Sequence, residues 1–174
     1  MNSAWAIATG LGGVFVGWLA TYFNERVKWR RERVARWDER RQEQFIAFAK
    51  AVKLQAHLCN RMAASINLGR MDEPALDLAE GMPLLNQAEK QRAQAFEGVQ
   101  LLADRRTIVA ARDWQDAVLE LRKVVSGMET TDPATYESLF KKAGRARDEF
   151  HLAARDSLSV GGEFVRSVQF ERRV

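Results

Sequence analysis

Two histidines and one cysteine are all the imidazole and thiol this 174-residue chain offers. His57 and Cys59 lie two apart, and on a helix such positions project from different faces, so one metal ion cannot take both. Cys59 falls on an apolar stripe and reads as a small buried hydrophobe. Asp148 and His151 are spaced i,i+3 and can share a face, but a carboxylate-bridged metal site in a bundle takes further Glu and His ligands that are not here. His151 is expected at the surface or boundary. No phosphate-cradling Gly loop, GxSxG, HExxH or CxxC occurs in the chain. With no constellation of residues in definable roles, the chain is read as not an enzyme, with no cofactor and no metal. Arg41, Arg92 and Arg147 fall near stripe positions; a ligand-sensing bundle needs a polar group buried between stripes, and salt-bridged or boundary Arg is the other account of them.

The elements that would position these residues begin with a segment that carries no charge, Ala4 to Phe23 (AWAIATGLGGVFVGWLATYF). A helix rising about 1.5 Å per residue needs roughly 20 apolar residues to cross a bilayer core about 30 Å thick, and this segment is that long. Trp5 near one end, Tyr22 at the other and Trp29 beyond it suit the membrane interface. Thr9, Gly13, Gly17 and Thr21 recur every four residues, and such a small-residue stripe lets two membrane helices approach closely, so a homodimer is one expectation. A cleavable secretory signal would carry its positive charge before the apolar run; here the charge follows it. Arg26, Lys28, Arg30, Arg31 and Arg33 predict by the positive-inside rule that the short N-terminus is outside and the rest cytoplasmic, at the bacterial plasma membrane. The first of these side chains also suit anionic lipid headgroups.

The formal charge is +4. Its concentration beside an apolar span has a simpler cause than nucleic acid, and Glu25, Glu32, Asp38, Glu39 and Glu43, interleaved with the Arg residues, would repel phosphate. A single cysteine forms no intramolecular disulfide, which fits a reducing compartment.

Residues 24–44 contain no Pro or Gly and read as a basic helical stem, with Val27, Val34, Arg41 and Phe48 spaced as in a short coiled-coil seam. Phe45, Phe48, Val52, Ala56, Cys59, Met62 and Ile66 form the stripe of a first bundle helix ending at Leu68–Gly69. Arg70 to Met82 reads as a loop, with a short turn around Ala75 to Ala79. A second helix starts with Pro83 in its first position and carries Leu85, Ala88, Ala95, Val99 and Leu102. A break at Ala103 to Arg105, capped by Asp104, separates it from a third helix with Ile108, Ala111, Trp114, Val118, Leu121 and Val125; one helix from Pro83 to Ser126 is the alternative. Asp132 and Pro133 start a fourth, striped by Tyr136, Leu139, Phe140, Ala143, Phe150, Ala154 and Leu158 and ended by Gly161 and Gly162. The architecture predicted is therefore all-α: a transmembrane helix within 1–23, a stem over 24–44, an antiparallel bundle of about four helices over 45–160 and a tail over 161–174.

With GLGGVFVGWLATYF, RRERVARWDERRQEQFIAFAKAV, AARDWQDAV and FHLAARDSL, the chain resembles a group of small single-pass membrane proteins of high-GC Gram-positive bacteria. Their N-terminal span is followed by an Arg-rich W-D-x-R-R helix and a helical cytoplasmic domain, and no activity is attached to them. The resemblance implies the layout and no site residues. The function expected is a membrane-anchored binding or scaffolding module with a protein partner. The alternatives are a phage-exclusion or toxin-like factor acting through the span, and a ligand-sensing bundle.

Overall fold

The computed structural model describes residues 37–69, 74–164 and 166, and the chain divides into two compact units, Met1–Arg40 and Arg41–Val174. In the first unit residues 37–40 are helical, and the Arg40 guanidinium lies 6.0 Å from the Trp37 ring centroid. The apolar segment, and the interface, packing and topogenic residues assigned to it and to the start of the basic stem, Trp5 through Arg33, lie outside the described residues. Among those described, no helix is long and apolar enough to cross a membrane.

The second unit is an all-α bundle without a strand among the described residues: α1 (residues 41–65), α2 (Leu78–Leu102), α3 (Arg105–Val125) and α4 (Pro133–Ser157). Successive helices run antiparallel. The α1 residues Phe45 and Phe48 meet Phe150 of α4, while at the other end of α1 the Leu76 amide just before α2 donates to the Arg61 carbonyl. Between α3 and α4, Arg106 pairs with Asp156 and Glu120 with Lys142. One core follows the stripes: Phe48, Val52, Cys59, Leu85, Val99, Ala111, Leu121 and Phe150 are fully buried, with Trp114, Met62 and Tyr136 nearly so. Phe48 is its centre, 5.7 Å from Phe96, 5.9 Å from Trp114 and 5.2 Å from Phe150 between ring centroids.

Local chemistry sets the ends. Asp132 accepts from the Ala134 and Thr135 amides with Pro133 at the first helical position, as its sequence predicts. The break at Ala103 and Asp104 is also present: both residues are extended, and the Asp104 carboxylate accepts from the Thr107 amide, so α2 and α3 are separate helices. Three helices close in one way, with the residue after the cap in the left-handed region and two reversed backbone bonds: Asn67 (φ 62°), Gly127 (φ 76°) and Ser159 (φ 54°). The stops therefore differ from those expected at Gly69 and Gly161. Ile66 consequently sits past the last turn of α1, 48% exposed, and leaves the stripe it was assigned to.

α2 starts five residues earlier than expected. Asp77 caps it by accepting from the Glu80 amide, and Pro83 stands inside the helix, so the supposed loop ends at Asp77. Docking fixes this start: Leu76 is buried, and Arg61 Nε donates to the Pro74 carbonyl at 3.0 Å. Gly81 then passes so close to α1 that a Cβ there would stand 2.6 Å from Met62 Sδ and 2.7 Å from its Cγ. At Gly98 an added Cβ would meet the Gln44 side chain from its Cγ, at 2.8 Å, outward to its amide, and this half-exposed, flexible side chain can swing away. The same substitution is thus expected to act with opposite signs. Gly81→Ala, which forces the 2%-exposed Met62 to move, should destabilise by about 1–2 kcal/mol. Gly98→Ala, mid-helix, should stabilise by up to about 1 kcal/mol. Urea denaturation of the two variants checks this.

The described residues of the tail, 161–164 and 166, fold back on α4. Arg155 Nη2 donates to the Gly161 and Gly162 carbonyls, Phe164 stacks on His151 with centroids 6.4 Å apart, and Arg166 pairs with Glu149 at 3.1 Å.

Candidate functional site

A polar layer interrupts the apolar interior between α1, α2 and α3. The stripe of α2 steps Leu85, Ala88, Arg92, Ala95, Val99, so Arg92 takes a position that an aliphatic residue would fill. Its side chain is 14% exposed, and a guanidinium so placed needs partners. Nη1 donates to Gln115 Oε1 of α3, and Nη2 lies 4.0 Å from Glu89 Oε1 one turn back on α2. Glu89 is ion-paired with Arg122 of α3, which also donates to Asn86 Oδ1 at 2.9 Å. From α1, Gln55 reaches the same layer and is 5% exposed. Gln55, Glu89, Arg92, Gln115 and Arg122, together with Cys59, Leu85, Val118 and Leu119, line a cavity of about 60 Å³, room for a few waters or one small ligand.

Burial lowers the affinity of Arg92 for its proton, and the nearby Asp116 carboxylate opposes that. The same desolvation dominates at Cys59, whose thiol is pushed up to about 12 although Arg122 pulls it down. A thiol held neutral is no nucleophile. The layer can therefore hold charge and donate hydrogen bonds, and it offers no attacking group.

The other residues singled out for chemistry are dispersed. His57 is half-buried on α1. Asp148 is buried and bound by the neighbouring Arg147, Nη2 at 2.9 Å and Nε at 3.1 Å, so a guanidinium engages its carboxylate. His151 is a boundary residue, half-buried: its ring lies among Trp114, Phe150 and Phe164, and burial, helped by the charges of Arg147 and Lys53 and opposed by Asp148, holds its pKa below the usual imidazole value. Arg41 donates to Ser157, joining the start of α1 to the end of α4. Asp104 stands beside them. Burial raises its carboxyl, but the Thr107 amide, the Ser157 hydroxyl and the Arg41 charge outweigh this and hold it below the usual carboxylate range. Among the described residues, no three His, Cys, Asp or Glu side chains are grouped to hold a metal ion.

Compared with family models, curated proteins and solved structures, the chain matches none. Its site must be read from its own geometry.

Of the layer, the sequence singled out Arg92 alone. Gln55 was legible as well, since Val52, Gln55, Cys59 and Met62 step by three and four, although the neighbouring Ala56 fits the stripe equally well and was assigned to it. Glu89, Gln115 and Arg122 flank their stripes, and nothing in one helix marks which of its flanking residues another helix will face.

A second feature lies at the opposite end of the bundle from Arg41. An apolar hollow of about 160 Å³ is lined by Met62, Ser65, Ile66, Leu78, Val124, Val125 and Gly127. Ile66 and Leu78 on its border are 48% and 51% exposed, and Met128, next to Gly127, is 75% exposed.

Proposed function

We propose that the chain is a membrane-anchored helical bundle that binds or scaffolds another protein at the inner face of the bacterial plasma membrane. The anchor is the uncharged segment Ala4 to Phe23, with the basic run after it setting the N-terminus outside and the bundle in the cytoplasm. Pairing of two copies through Thr9, Gly13, Gly17 and Thr21 belongs to the same reading, as does kinship with the single-pass actinobacterial-type proteins that the sequence resembles.

The observation that carries the binding role is the apolar hollow with Ile66 and Leu78 on its border. The bundle has a closed core of its own, so these side chains remain outside it at an end where a partner's apolar side chain would bury them. A photo-crosslinking residue at Leu78 of the full-length protein, in native membranes, should give a discrete adduct that the same residue at exposed Glu137 does not. Deleting residues 1–23 should move the chain from the membrane to the soluble fraction. No adduct at Leu78, or retention of the shortened chain on membranes after alkaline carbonate extraction, would contradict the reading.

A further inference from the structure

We infer that the layer around Arg92 and Arg122 is a binding site for a small carboxylate, which Glu89 of the chain itself fills. A guanidinium presents a planar fork of donors that matches the two oxygens of a carboxylate. Here two guanidinium groups, from facing helices, lie beside a single carboxylate: Glu89 is ion-paired with Nη1 of Arg122 and lies 4.0 Å from Nη2 of Arg92, while their other Nη groups are given to Asn86 and Gln115. The guanidinium-bearing side chains are 14% and 21% exposed, whereas Glu89 is 37% exposed and is the member best able to leave for solvent. Beside it the cavity of about 60 Å³ brings the amides of Gln55 and Gln115 to the same wall, with Leu85 and Val118 as the apolar part.

These features fit an exchange. Removing Glu89 without replacement would take from Arg122 its ion-pair partner and leave the positive charge of the layer balanced only in part, by Asp116 beside Arg92, which is unfavourable. An external carboxylate entering the cavity restores the balance while Glu89 turns outward, its short aliphatic portion meeting the two Leu and Val walls and its oxygens the guanidinium forks and the amides. Glu89, tethered one turn from Arg92, competes with every incoming ligand, so the native chain binds weakly and the chain without this carboxylate binds more tightly.

The test is chemical rescue in the purified full-length chain. Glu89→Ala should unfold at a lower temperature than the native chain. Sodium acetate or propionate at tens of millimolar should restore at least half of the lost midpoint, relative to sodium chloride at equal ionic strength, with a smaller shift in the native chain. Adding Arg92→Met should abolish the rescue. Should Glu89→Ala fail to fold, the isosteric Glu89→Gln is examined by equilibrium dialysis with labelled propionate, where saturable binding at least about tenfold tighter than in the native chain is expected. Rescue no greater than with chloride, equal rescue by inorganic phosphate, or no saturable binding to Glu89→Gln would overturn the assignment and leave an ion-pair network that only ties α2 to α3.

Discussion

Phe48→Ala is expected to lower the unfolding free energy by about 3–5 kcal/mol. Phe48 is fully buried and touches aromatic rings from each of the other three helices, Phe96 of α2, Trp114 of α3 and Phe150 of α4. Truncation removes the transfer energy of the ring and also three aromatic contacts worth about 0.5–1.5 kcal/mol each. It leaves a void that three helices would have to move to fill. Since a domain of this size has about 5–15 kcal/mol in total, the variant should approach the edge of folding. Ile46, two residues away and 45% exposed, provides the contrast, and Ile46→Ala should change stability by no more than about 0.5 kcal/mol. Urea denaturation followed by circular dichroism measures both. Equal costs at the two positions would mean that the core is not organised around Phe48.

The second large effect comes from alkali. The thiol of Cys59 is raised from 9.0 to about 12 by burial, so between those values the unfolded chain releases this proton and the folded chain keeps it. The folded state then binds more protons, and stability falls as pH rises: it is fully present below pH 9 and lost through about pH 12, on the order of 4 kcal/mol from this group. Tyr136, buried with its hydroxyl unpaired among the described residues and likewise raised by burial, adds a loss of the same sign above its unfolded value. Denaturant midpoints taken from pH 8 to 10.5 should decline, and Cys59→Ala should flatten the part of that decline that begins near pH 9. The native thiol should also resist an aromatic disulfide reagent at pH 8, reacting at a rate set by unfolding. A thiol that reacts at once in the native protein would show that it is not enclosed as described.

The order and number of helices could be read from the chain because the signals were local. Asp132 with Pro133, Asp104 after Ala103 and Gly127 each act within a few residues of themselves. The start of α2 was misplaced because two local signals competed. Pro83 fits a first helical position, yet Asp77 followed by Glu80 three residues on is the better cap, and the burial of Leu76 against α1 decides between them. Both candidate starts are marked in the local sequence, and the choice between them belongs to tertiary contact. Asn67 and Ser159 end helices where glycines nearby were expected to, because Asn and Ser can also enter the left-handed region when the closing bonds are good. For the polar layer the limit is different: Arg92 is visible as a charge in an apolar stripe, whereas its convergence with Arg122 on one carboxylate depends on the rotation of α3 against α2.

The contact of Phe48 with Phe150 joins residues about a hundred positions apart in the chain. At ribosomal rates of about 5–20 residues per second, roughly 5–20 s pass between their syntheses. During that interval the stripe of α1 has no α4 to cover it, and only when the last quarter of the chain has left the exit tunnel can the bundle close. Newborn chains of this protein therefore carry an uncovered apolar face from the emergence of α1 until α4 is available, and truncation before α4 is expected to lead to aggregation rather than to a smaller working domain.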